Sequence, residues 1–235
     1  VLEAAIKDFY RFVCSPEPDY KENTPESTGT VISLFLIIFL FEIIVAGLLF
    51  TLIGMESDDH KMDELMKTMA FYQIFMLAVI MAPVVEELIF RYYINKVWLC
   101  LALIPLLLSG TSVYLFLTHP SPVVYIISAI LIFVSLLFIG SMFREPVLLW
   151  WKSGFRAYYP YIFYLSATAF AFVHIFNFDE SMSWYFTPIL VFPQFVIGLY
   201  LGYLRIRNGL IYSILIHAIN NAIPMLLIMV APENF

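Results

Sequence analysis

The sequence predicts an all-α fold, a polytopic membrane helix bundle of about seven transmembrane helices with an N-terminal interfacial helix. Three observations carry this. The 235 residues are 62% hydrophobic, and mean hydropathy is +0.90. Only 13% are charged, about half the usual share in soluble domains. Apolar runs of about 20 residues, enough for a helix to cross a bilayer, recur along the whole chain. The same numbers exclude other classes. With a net charge of −6 from acidic loops and termini, nucleic acid is not an expected partner; membrane lipids are. Cys14 and Cys100 are the only cysteines, so neither a disulfide nor a zinc-thiolate cluster is expected.

The elements follow in order. Residues 1–28 form an interfacial helix and loop, and 29–235 a single transmembrane domain. Val1 to Val13 is amphipathic, with Leu2, Ala5, Ile6, Phe9 and Val13 on one stripe. Ser15 to Thr28 is a Pro- and Glu-rich loop. No cleavable signal is expected, because the first long apolar run starts near Val31; the start at Val1 suggests a removed leader or tag. Val31 to Ile53 is the first span and contains Glu42. Gly54 to Lys67 is an acidic loop. A long helix runs from about Met66 to Lys96. Val97 to Leu117 and Val123 to Phe143 are spans, joined by a basic, Trp-containing segment, Arg144 to Arg156, to Tyr158 to Phe178. Trp184 to Leu204 is the sixth span. Its Gly198 and Gly202 form a small-xxx-small pair that lets helices approach. Leu210 to Val230 is the seventh. Lys7, Arg11, Lys21, Lys96, Arg144, Lys152, Arg156, Arg205 and Arg207 fall on one side, against Lys61 and Lys67 on the other. The positive-inside rule then puts the N-terminus in the cytoplasm, with a bacterial plasma membrane the expected location.

One stretch demands a function. Within Ala82-Pro83-Val84-Val85-Glu86-Glu87-Leu88-Ile89-Phe90-Arg91, three charges lie in six residues of an apolar run. A charge at the bilayer centre costs roughly 2.5–3.5 kcal/mol on insertion scales. Glu87 and Arg91 are four apart, share a helix face and can pair. Glu86 points about 100° away, which leaves it the freer carboxylate. Pro83 deprives the Val79 carbonyl of its helical donor and favours a kink.

Two of four histidines lie inside spans. His174 stands three before Asn177, and His217 four before Asn221 on one face. The depths of Glu86, His174, His217 and Asn221 agree within about 15 Å at 1.5 Å per residue, a spread that tilt absorbs. Three helices can gather all four in one buried pocket. Singly, each histidine is more often a satisfied core residue; the joint arrangement reverses that preference. Glu42, Gln73 and Gln194 are read as facing the bundle interior, and Asn177 and Asn220 as bonding backbone or lining the cavity.

Glu86-Glu87-x-x-x-Arg91, Phe170-x-x-x-His174 and His217-x-x-x-Asn221, in that order on separate spans, resemble the CPBP family, the CAAX-protease and bacteriocin-processing (Abi) group. The resemblance covers roughly Phe71 to the C-terminus. Two departures are visible: Tyr92 follows Arg91 where the family often has glycine, and two spans separate Glu86 from His174. The resemblance implies an intramembrane endopeptidase acting on a membrane-associated peptide or protein. Glu86 would be the general base, His174 would help hold the attacking water, and His217 and Asn221 would stabilise the oxyanion. Glu87 and Arg91 would be the supporting pair. Such chemistry needs a positioned carboxylate and donors aimed at the developing oxyanion. A swap of the Glu86 and Glu87 roles is left open. No cofactor is expected, the alternative being zinc held by Glu86, His174 and His217, an N/O set that suits a catalytic site. A third reading is a non-enzymatic proton or ion transporter or an immunity-type membrane protein, since buried carboxylates and histidines also build ion relays; no inverted repeat supports transport.

Overall fold

The computed structural model describes residues 2–19, 25–53, 68–119, 121–178 and 186–230. The described elements are all helices, with no strand among the described residues. Six helices are long and apolar enough to cross a membrane among the described residues. Two compact units divide the chain: residues 1–92 with 160–235, and residues 93–159.

The first unit holds α1 (Leu2–Cys14), α2 (Thr28–Ile53), α3 (Phe71–Phe75), a π-helical segment (Met76–Met81) and α4 (Ala82–Phe90). It also holds α7 (Glu145–Val173) from Pro160 on, a 3-10 turn (His174–Asn177), α8 (Thr187–Leu190), α9 (Phe192–Arg207) and α10 (Leu210–Val230).

The buried centre of this unit is α9. Every residue from Ile197 to Arg207 is buried, as expected of a helix apolar all round. It packs on α1, α2 and α10. This changes the expected sixth span. The chain turns at Val191, after the one-turn α8, and Pro193 lies at the start of α9. In the first turn proline leaves no helical hydrogen bond unmade, which favours a helix start there. At 16 residues α9 is about 24 Å long, shorter than the ~30 Å hydrocarbon core. Only Trp184 and Tyr185 of that expected span, like the acidic loop at 54–67, lie outside the described residues.

The two glycines of α9 make room for α7. A Cβ on Gly198 would sit 3.1 Å from the Phe170 ring, and one on Gly202 only 2.6 Å from the Phe163 ring. Phe163 is 1% exposed and stacks edge-on against Phe12, so it has nowhere to retreat. Gly202→Ala is therefore expected to lower stability by about 1–3 kcal/mol, read as a lower thermal midpoint in detergent.

The buried side of α1 is rotated from its expected stripe. Ala5 and Phe12 are buried, while Leu2 and Ile6 are exposed. Phe9 packs on Tyr200 and Tyr203. Asp8 accepts from the Tyr203 hydroxyl at 2.7 Å and pairs with Arg207 at 3.3 Å. Arg207 also meets Glu26 at 3.4 Å. The ion pair sets which side of the helix docks, a choice that apolar periodicity alone does not see.

Other boundaries follow local chemistry. Ser27 caps α2 by accepting from the Thr30 N–H, a usual N-cap role. Gln73 is exposed and accepts from the Ala70 N–H at 3.1 Å; it caps α3 instead of facing the interior. Gly209, at φ +102°, makes the tight turn from α9 into α10, a conformation glycine adopts without steric cost.

The second unit holds α5 (Val97–Thr118), α6 (Pro122–Met142) and α7 up to Tyr159. Helices α5 and α6 are fastened by serines. Ser112 and Ser128 donate to each other's carbonyls at 3.1 and 3.2 Å, and Ser109 donates to Ser135. Small hydroxyl residues are the expected glue between apolar helices. The basic connection expected at Arg144 to Arg156 is helical: only a turn at Phe143 and Arg144 interrupts the chain before α7 begins. Glu145 lies in the first turn of α7, where a negative charge favours a helix start.

Candidate active site

The site lies entirely within the first unit. Helix α4 contributes the charges, and its ends explain their geometry. Before it, the Ala82 N–H bonds the Leu77 carbonyl, five residues back. In that register the donor to the Ala78 carbonyl would be residue 83, a proline without an N–H. The deficit expected at Val79 is thus moved to Ala78, and Asn221 meets it: its Nδ2 donates to the Ala78 oxygen at 2.9 Å. A π-bulge supported by a neighbouring side chain is a recurrent feature of functional sites. Replacing Asn221 by leucine orphans that carbonyl, so faster amide hydrogen exchange over residues 71–81 is the expected outcome.

The far end of α4 is also secured. The Phe90 carbonyl accepts from the Ser166 hydroxyl. Arg205 donates from Nε to the Arg91 carbonyl at 3.0 Å and from Nη2 to the Tyr92 carbonyl at 3.3 Å. A buried helix end requires such partners. Tyr92 causes no backbone strain, since no described residue other than glycine has positive φ.

Between these ends the two glutamates separate in role. Glu87 is 0% exposed and Arg91 1%. Arg91 Nη1 donates to Glu87 Oε1 at 2.8 Å. His217 Nδ1 lies 3.1 Å from the same oxygen, and the Ser213 hydroxyl donates to Glu87 Oε2. The Arg91 guanidinium carbon stands 3.7 Å from the Phe170 ring centre, a close cation–π contact. Glu87 is thus fully occupied by three partners.

Glu86 stands apart. Its Oε2 is a buried atom without a hydrogen-bond partner. That oxygen lies 3.9 Å from His174 Nε2 and 3.8 Å from His217 Nε2. The Glu86 side chain keeps 24% of its surface exposed and His174 17%, so the outer part of the site is accessible whereas Glu87 is sealed.

Both imidazoles are oriented from behind. His174 Nδ1 lies 2.7 Å from the Phe170 carbonyl oxygen. A carbonyl only accepts, so Nδ1 carries the proton and Nε2 presents its lone pair toward Glu86. His217 Nδ1 faces the Glu87 carboxylate, which only accepts, so a proton sits on Nδ1 there too. Phe170 packs against both rings, with centroids at 4.7 and 5.4 Å.

The structure therefore brings Glu86, His174 and His217 together, pairs Glu87 with Arg91, and places Asn221 on the same helix as His217. It does not bring in Asn177, which is exposed at the end of the 3-10 turn, or Glu42, which is buried in α2. Sequence reasoning missed Ser213 and Arg205. Ser213 is detectable, standing four before His217 on one helix face. Arg205 looks like any loop charge. For zinc, two imidazole nitrogens and a carboxylate are suitable donors. As placed, however, no three His, Cys, Asp or Glu among the described residues are arranged to hold a metal ion.

A buried acid pair and two imidazoles thus lie together inside an apolar helix bundle. A family model described as type II CAAX prenyl endopeptidase Rce1-like matches residues 68–223, which contain Glu86, Glu87, Arg91, His174, His217 and Asn221. The chain belongs to this Rce1-like family and is a CAAX-type protease of the membrane. Comparison with curated proteins and with solved structures gave no match.

Proposed function

We propose that the protein hydrolyses a peptide bond of a membrane-associated, CAAX-type substrate with water activated by Glu86. The observation that supports this best is the contrast within the acid pair. Glu87 is consumed by Arg91, Ser213 and His217, while Glu86 Oε2 is unpartnered and faces two Nε2 atoms.

A water between Glu86 Oε2 and His174 Nε2 attacks the scissile carbonyl carbon. Glu86 takes one of its protons as general base, and His174 Nε2 accepts the other hydrogen, which aims the oxygen lone pair. The carbonyl electrons move onto oxygen. His217 Nε2–H and the second N–H of Asn221, the first being spent on Ala78, stabilise that oxyanion. Donation from Nε2 uses a ring protonated on both nitrogens, held at Nδ1 by Glu87, as a buried carboxylate holds a catalytic histidine in the serine-protease triad. Collapse of the intermediate breaks the C–N bond, and Glu86 passes its proton to the leaving amine.

The N-terminus is cytoplasmic, and the outward Leu2, Ile6 and Tyr10 of α1 meet the headgroup layer. The test is reconstitution in proteoliposomes with a farnesylated peptide ending in cysteine, two aliphatic residues and a variable residue. Mass spectrometry is expected to find the truncated prenylated peptide, at a rate unchanged by a chelator. No product from folded protein overturns the reading. Activity lost to the chelator and restored by zinc overturns the metal-free mechanism.

A further inference from the structure

Two amide side chains near the site are unused by the mechanism. Gln194 Oε1 and Asn220 Oδ1 are buried atoms without a hydrogen-bond partner. Buried polar atoms of this kind are rare in folded proteins and call for an explanation.

Their positions are related through the α9–α10 pair. The two helices are antiparallel neighbours across the Asn208–Gly209 turn. The Ser213 hydroxyl lies 3.0 Å from the Leu201 carbonyl oxygen, which sets the register: 213 stands opposite 201. Seven residues are close to two helical turns and change direction by only about 20°. Seven back from Leu201 is Gln194, and seven on from Ser213 is Asn220. The two amides therefore occupy the same level on the facing stripes, about 10 Å beyond the Ser213–Leu201 contact. His217 lies between Ser213 and Asn220 on α10, and Asn221 bonds Ala78 beside it.

The chemistry of these atoms is shared. Gln194 Oε1, Asn220 Oδ1 and Glu86 Oε2 all accept hydrogen bonds. A ligand that satisfies them must bring donors. Resting on the proteolytic reading above, we infer that Gln194 and Asn220 form a subsite that accepts main-chain N–H groups of the substrate peptide beside its scissile bond. The ligand class is an extended peptide backbone, recognised without regard to its side chains. A buried acceptor rejects an analogue that lacks the matching N–H, because the acceptor is then left unpaired.

The experiment compares wild type, Gln194→Met and Asn220→Leu in proteoliposomes. The probes are the farnesylated peptide and a series carrying one backbone N-methyl group at each successive position. With wild type, one or two N-methyl positions next to the cleaved bond are expected to raise KM about tenfold. In the matching variant KM for the parent peptide rises by a similar factor with kcat retained, and the N-methyl penalty disappears. The thermal midpoints of both variants stay level or rise, since an apolar isostere replaces an unpaired acceptor; a merely structural hydrogen bond would instead make them fall. If wild type cleaves the parent peptide and the variants keep its KM, or keep the N-methyl penalty, the subsite is refuted while the protease reading stands. If wild type does not cleave the parent peptide, both fall together.

Discussion

Glu86→Gln is expected to lower kcat for cleavage of the prenylated peptide by about 10³-fold while the protein still inserts, purifies and unfolds at nearly the wild-type temperature. Removing a general base typically costs 10²–10⁴ in rate. Stability is spared because Glu86 Oε2 makes no hydrogen bond to lose. Glu87→Gln is expected to behave oppositely, because its carboxylate receives Arg91, Ser213 and His217. It costs stability first and activity as a consequence. Near-normal turnover by folded Glu86→Gln would remove the base assignment and reopen an exchange of roles within the pair.

The second large effect falls on Arg91. With Arg91 and Glu87 exposed by 1% and 0%, solvent screens little of their interaction. Arg91→Met leaves a buried carboxylate without its counter-charge, and breaking such a pair from one side costs about 3–5 kcal/mol. The double variant Glu87→Leu, Arg91→Met removes both charges and is expected to be more stable than Arg91→Met alone, yet inactive because His217 has lost its support. Arg91→Lys keeps the charge but not the planar face held 3.7 Å over Phe170, so it restores the single variant only in part. Thermal unfolding in detergent orders the four proteins. A loss below about 1 kcal/mol in Arg91→Met would mean the pair is not the anchor of α4.

These expectations depend on features of unequal visibility. The Glu87–Arg91 pair is readable from a spacing of four, and the meeting of Glu86 with both histidines from depth along three helices. Helix α10 is read to the residue, the expected span Leu210 to Val230 being the observed helix. The short α9 is not, because apolar composition does not distinguish a helix buried in protein from one facing lipid. The direction in which α1 docks depends on Asp8 meeting Arg207, some 200 residues away in sequence. Arg205 falls among the basic residues of one side in the sequence, although it is 6% exposed and caps α4. A tally of basic residues does not separate headgroup anchors from internal ones. The π segment is legible only in part: Pro83 signals missing donors, but which carbonyl is left over depends on the register adopted before it.

The central claim is that one water site lies between Glu86 and the two imidazoles. The most direct measurement is an experimental structure with a prenylated peptide aldehyde, whose hydrate mimics the tetrahedral intermediate. One hydrate oxygen is expected within hydrogen-bond distance of Glu86 and His174, and the other within reach of His217 Nε2. A hydrate bound at Glu87, or at any place away from both imidazoles, would contradict the account.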